Sequence, residues 1–246
     1  MTARPAISPE FDPGLVEQAV LLRIREDPQE GEFYQSRDRL YLLPEGEERE
    51  KSFQDFHAAW FVRLQLGRPI AEALEEQPLL AGGTGRCCVF PARSGQEEGA
   101  DLHQWRAARP RESAAGGSIL MRVKVTRLLD TPRLQAWLRR ELMHVADMLD
   151  PAFAYAPEWP AATSDPAAKN ILRERYRVLW DVWIDGRLER RGWLPEGDRA
   201  RRLEEFATAF PNFGPEAAER FAELFDAETQ THAGLLEMAL RAGGSG

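Results

Sequence analysis

Cysteine is almost absent from this chain of 246 residues, and the two it has, Cys87 and Cys88, are neighbours. A bridge between adjacent cysteines is strained and no other partner exists, which excludes a disulfide scaffold. No Cys-x-x-Cys occurs, so a cysteine-rich zinc module is excluded as well. Long apolar runs are missing: nothing approaches the ~18 residues of a membrane span. The opening Met1-Thr2-Ala3-Arg4-Pro5 lacks an apolar signal core, so the expected location is cytoplasmic. Lysine is scarce too, with only Lys51, Lys124 and Lys169, so arginine supplies the remaining 29 of the 32 basic side chains. Against 40 acidic residues the formal net charge is −8. No nucleic acid and no membrane surface is expected as a partner, because both demand a positive field. Catalytic signatures of other classes are missing: there is no Gly-x-Ser-x-Gly, no kinase motif and no phosphate loop, since Gly82-Gly83-Thr84-Gly85 lacks the Lys-Ser/Thr that must follow.

What is present is an ordinary globular composition, 43% hydrophobic and 29% charged. Residues 12–77 read as mainly helical. Leu15, Val16, Ala19, Leu22 and Ile24 recur at near-helical steps, and Phe53, Phe56, Trp60, Phe61 and Leu64 mark a helix over 47–66, with His57 at its core edge. After Pro78 short β-prone runs appear at 86–90 and 100–103. Ser118–Thr126 ends in alternation, with Met121, Val123 and Val125 on one side, and reads as a half-exposed edge strand. Asp130-Thr131-Pro132 begins a helix that runs to about Leu149. A loop with Phe153, Tyr155 and Trp159 follows, then a helix over about 167–188 that ends near Gly186 or Gly192, then two or three short helices. The order predicts an α+β protein: a helical part over 1–80, then a core over 81–246 with a small mixed sheet and C-terminal helices, forming one compact unit.

One helix carries unusual chemistry. On a helical wheel Leu134, Trp137, Leu138, Leu142, Val145 and Leu149 share one arc, and Glu141 falls inside it. His144 lies at the edge of that arc. A carboxylate on a buried stripe needs a partner.

The string Arg140-Glu141-Leu142-Met143-His144 resembles the H-E-x-x-H of zincin-type metallopeptidases, with arginine in place of the first histidine. The longer run Glu141–Pro151 is similar to uncharacterised bacterial proteins that carry the full motif, and the resemblance spans about residues 85–190. It implies a zincin-like fold, with an edge strand beside the motif helix as a platform for an extended peptide. It also implies Glu141 as general base and His144 as a zinc ligand. Arginine has no acceptor and stays charged, so Arg140 cannot replace the missing ligand. Candidates for a further ligand are Asp181, one turn before Asp185 on the 167–188 helix, and Asp150, six residues beyond His144. Asp181 is preferred, because Asp147 stands where the second spacing needs a helix-breaking glycine. Three other readings stay open. Arg140 pairs with Asp147. Arg140 occupies the vacated metal position and holds Asp181. Glu141 simply pairs with Arg173 or Arg177, while Asp181 pairs with Arg177 on a solvated face. The expected function is a degenerate metallopeptidase with weak or no zinc-dependent peptide hydrolysis; the alternative is a non-enzymatic module that binds a peptide or protein.

Overall fold

A computed structural model describes residues 7–104, 117–157 and 165–241. Trp159 and the terminal Gly243–Gly246 lie outside the described residues. The chain divides into two compact units, Met1–Leu138 and Arg139–Gly246. The division falls inside the motif helix and not near residue 80, so the sheet belongs with the N-terminal helices rather than with the C-terminal ones.

In the first unit β1 (Pro9–Phe11) leads into α1 (Pro13–Ile24), α2 (Glu30–Leu40), α3 (Glu47–Arg63), α4 (Arg68–Glu75) and α5 (Pro78–Gly83). Asp12 caps α1 by accepting from Leu15 N at 3.0 Å, with Pro13 fixing the first turn. The apolar steps of α1 bury Leu15, Val16, Ala19, Val20 and Ile24. In α3, Trp60 and Phe61 are buried, and Phe33 of α2 packs edge-on to Trp60. The glycine run before residue 85 forms no separate loop: Gly83 ends α5 and Thr84 already begins β2 (Thr84–Pro91).

The sheet is completed by β3 (Gly99–Gln104) and β4 (Gly117–Val123), in the order β1-β2-β4-β3. Pairing is parallel for β1–β2 and β2–β4, and antiparallel for β3–β4. A small mixed sheet in an α+β protein is thus observed. The strand expected at its edge is not there: β4 lies between β2 and β3, and the antiparallel edge strand is β3. Alternation reports which face of a strand is buried, not how many neighbours it pairs with. The shared face holds as expected for Met121 and Val123, which are buried, and Ile119 extends it. Val125 does not continue it, because residues 125–129 turn into a short 3-10 helix. Cys87 points inward and Cys88 is half-exposed. Burial, with lesser contributions from Cys88 and Glu10, pushes the Cys87 thiol up to about 12 and leaves it inert.

The second unit contains the later turns of α6 (Thr131–Leu149), then α7 (Pro166–Arg190), α8 (Asp198–Ala209), α9 (Ala217–Phe225) and α10 (His232–Arg241). Asp130 begins α6 by accepting from Arg133 N at 3.2 Å. Asp165 caps α7 through Ala167 N at 3.0 Å. Of the two glycines offered as the end of α7, Gly192 (φ 68) lies just beyond the last turn and Gly186 lies inside the helix. A Cβ there would sit 1.7 Å from the Phe225 carbonyl oxygen, so glycine lets the end of α9 press against the helix backbone. The core of this unit is aromatic: Phe153 stacks on Trp180 and Trp183, and Phe206 packs on Phe210 and Phe221. His232 is buried, and its Nδ1 lies 2.7 Å from the Tyr176 hydroxyl.

Candidate functional site: a buried lattice of arginine and aspartate

Three helices of the second unit each carry charged or polar groups one turn apart. Helix α6 supplies Arg140 and His144, α7 supplies Asp181 and Asp185, and α8 supplies Asp198 and Arg202. The i, i+4 spacing puts each pair on one face of its helix. Partner numbers fall along α7 as they rise along α6. Arg140 Nε donates to Asp185 Oδ1 at 2.8 Å, and His144 Nε2 lies 2.9 Å from Asp181 Oδ1. Arg202 closes the lattice from α8. Its Nε donates to Asp185 Oδ2 at 2.8 Å and its Nη1 to Asp181 Oδ2 at 3.0 Å. Two outer carboxylates complete the guanidinium contacts: Asp198 accepts from Arg140 Nη2 at 3.2 Å and Glu205 from Arg202 Nη1 at 2.7 Å.

The lattice is deep. The Asp185 side chain is fully buried, and that of Arg202 is 6% exposed. A buried charge is tolerated only when it is paired and its hydrogen-bonding positions are filled, and here two guanidinium cations face two interior carboxylates. Burial alone would raise the pKa of Asp181. The bond from His144 and the charges of His144, Arg202 and Arg140 outweigh it and hold the group at about 2. For Arg140 and Arg202, burial works against the charge, but the facing aspartates overcome it and raise both.

A second buried acid pins the same helices. Asp147 is 2% exposed and accepts from Arg187 through both oxygens, at 2.7 and 2.6 Å. It also accepts from Trp180 Nε1 at 2.7 Å. Arg187 in turn lies over the Trp183 ring, with its guanidinium carbon 3.7 Å from the centroid.

The expected site residues land unevenly. His144 and Asp181 do come together, across α6 and α7. Arg140 holds Asp185 and Asp198 by hydrogen bonds, where the sequence had offered Asp181 or Asp147 as its partner. Asp150 takes no part: its side chain caps the turn after α6, accepting from Ala152 N at 2.8 Å. Glu141 is half-buried and is not the acid of the hydrophobic stripe. Leu134, Leu138, Leu142 and Val145 fill that stripe, and Asp147 is the interior carboxylate of α6. On the wheel Glu141 sits inside the leucine arc and Asp147 well outside it; what a wheel cannot show is that α7 covers the face that carries Asp147. Arg177 pairs with Glu174, at 3.5 Å, and not with Asp181. Sequence reasoning missed Asp198, Arg202 and the role of Asp147. The available signal was the repeated i, i+4 placement of charged or polar side chains on α6, α7 and α8.

Zinc can be tested against this donor set. A zinc ligand must offer a lone pair on a neutral imidazole or a carboxylate oxygen. An ionised carboxylate can only accept, so the hydrogen between His144 and Asp181 resides on Nε2, the nitrogen a metal would need. Both oxygens of Asp181 and both of Asp185 are occupied by protein donors. Two guanidinium groups at bonding distance oppose a dication. These residues do not fit zinc as they stand. Among the described residues no group of three or more His, Cys, Asp or Glu is arranged to hold a metal ion. None of the described helices is long and apolar enough to cross a membrane. Comparison of the chain with protein-family models, with curated proteins and with solved structures gives no match.

Proposed function

We propose that this protein is a degenerate zincin-like module that does not hydrolyse peptides with zinc, and that it acts by binding a peptide or protein. The observation that carries the reading is the saturation of Asp181 and Asp185 by Arg140, Arg202 and His144. The place a metal would take is filled by cations of the chain's own. Glu141 then has no metal-bound water to polarise and no base role. Residues 99–104 supply the surface for the partner. Among the described residues β3 ends the strand order β1-β2-β4-β3, and the edge of a sheet is the kind of surface to which an extended peptide adds through backbone hydrogen bonds. The sign of the net charge, −8, favours a partner with basic side chains.

Metal analysis of the purified full chain tests the reading, with peptidase assays alongside. The wild type should carry no stoichiometric zinc and cleave no peptide with added zinc, and Glu141→Gln should change nothing. Arg140→His restores the missing ligand type. If that variant alone takes up zinc, the motif is a metal site that lost one ligand. Stoichiometric zinc bound through His144 in the wild type would overturn the proposal.

A further inference from the structure

The first unit contains a second polar feature, unconnected with the lattice and independent of the reading of α6. An open cleft of about 470 Å³ is lined by residues of α1, α2 and α3. His57, in its wall, is 2% exposed, and its Nε2 is buried without a hydrogen-bond partner. Arg37 lines the same cleft, and its Nε is buried in the same condition. Native proteins rarely leave such atoms unpaired.

The two atoms are complementary. The Phe53 carbonyl, one turn before His57, favours a hydrogen on the ring nitrogen facing it. A neutral ring with its hydrogen on Nδ1 offers Nε2 as an acceptor, and Arg37 Nε–H is a donor. Burial holds the imidazole pKa below its usual value, assisted by the charge of Arg37 and opposed by Glu17. A hydroxyl group answers either orphan, because its oxygen both donates and accepts. Water does the same, but the surroundings suit something larger. Glu17 and Glu50 offer acceptor oxygens, and Gln54 offers both a donor and an acceptor. The Tyr41 and Phe53 rings lie 5.0 Å apart, and Tyr41 is 52% exposed, which leaves an apolar platform beside the polar groups. Two carboxylates against one guanidinium disfavour an anion and favour a ligand rich in hydroxyl donors.

We infer that the cleft between α1, α2 and α3 is a binding site for a neutral saccharide, its hydroxyl groups meeting His57, Arg37, Glu50 and Gln54 and one sugar face resting on Tyr41. Both orphan atoms are buried, so a sugar in the cleft reaches them only when a side chain above them changes rotamer. The test is an NMR titration of the full chain with glucose, galactose, N-acetylglucosamine and maltose, with glycerol as control. At least one sugar should give saturable, millimolar binding with shifts at the His57 ring and at residues 50–57. Glu50→Gln and Gln54→Ala lie on the exposed rim, do not threaten folding, and should weaken binding at least about fivefold. His57→Phe should abolish it. The inference is overturned by the absence of saturable binding to all four sugars, by equal shifts with glycerol, or by rim variants that bind like the wild type.

Discussion

Two interiors of this molecule treat buried polar groups in opposite ways. Around α7 the second unit buries charge and pairs its interior acids: each oxygen of Asp181, Asp185 and Asp147 has a donor, and the one orphan there among the described residues is Arg187 Nε. Around α3 the first unit buries a single imidazole among Phe33, Phe53 and Phe56 and leaves Nε2 without a partner. The first arrangement is self-sufficient and expensive to disturb. The second is cheap to disturb and open to a ligand. A saturated polar network resists new chemistry, whereas an unsatisfied atom invites it.

Breaking the lattice should give the largest effect. Asp185→Ala strands two buried guanidinium groups and should cost about 3–5 kcal/mol in denaturant unfolding. A loss below 1 kcal/mol would mean the arginines escape to water and the lattice is not a structural unit. Gly186→Ala comes next. The added methyl meets the Phe225 carbonyl, and forcing the helices apart should cost about 3 kcal/mol, the upper end for overpacking. Unchanged stability would show that α9 can slide at no cost.

Acid should distinguish the two interiors. Asp181 is depressed from 3.8 to about 2. Its folded form holds the proton less tightly than its unfolded form, so its contribution is intact above pH 3.8 and is lost as pH falls toward 2. The loss is ~2 kcal/mol, and Asp181→Asn should remove that part of the acid transition. His57 is depressed from 6.5. Its contribution is intact above pH 6.5 and falls as the solution is acidified below that value, long before Asp181 responds. A histidine titration by NMR that places His57 at or above 6.5 would contradict this order. The smallest effect is expected from His57→Phe without ligand. An orphaned polar atom is replaced by an apolar ring of similar size, so stability should change by less than about 1 kcal/mol, in either direction. A large loss would show that Nε2 is satisfied after all.

Much of the fold was legible in local signals. The Asp130-Thr131-Pro132 signal marked the start of α6, and apolar residues at near-helical steps marked α1. Periodic aromatics marked α3. The three-residue β1 left no signal, because a strand so short has no periodicity to read. The edge position of the sheet was misjudged because alternation is the same for an internal strand with one covered face. Within the site, His144 and Asp181 were put together as metal ligands on the strength of the zincin resemblance, and they meet instead through a direct hydrogen bond. Asp185 looked like a mere neighbour of Asp181, yet it is the acid most deeply buried and the one both arginines share. Glu141 seemed to demand an explanation, and Asp147, one and a half turns later, was the carboxylate that did.

The chain's own order of residues determined where helices begin, which faces they bury and that charged side chains recur one turn apart on three of them, since these follow from a 3.6-residue period acting over a few neighbours. Which aspartate meets which arginine was decided only when α6, α7 and α8 packed together. Partners 17 to 58 positions apart meet through helix packing, about which a local pattern holds no information. The same packing decided that the cations at the heart of the site are arginines that share Asp185, while the packing of α1, α2 and α3 left Nε2 of the α3 imidazole without a partner.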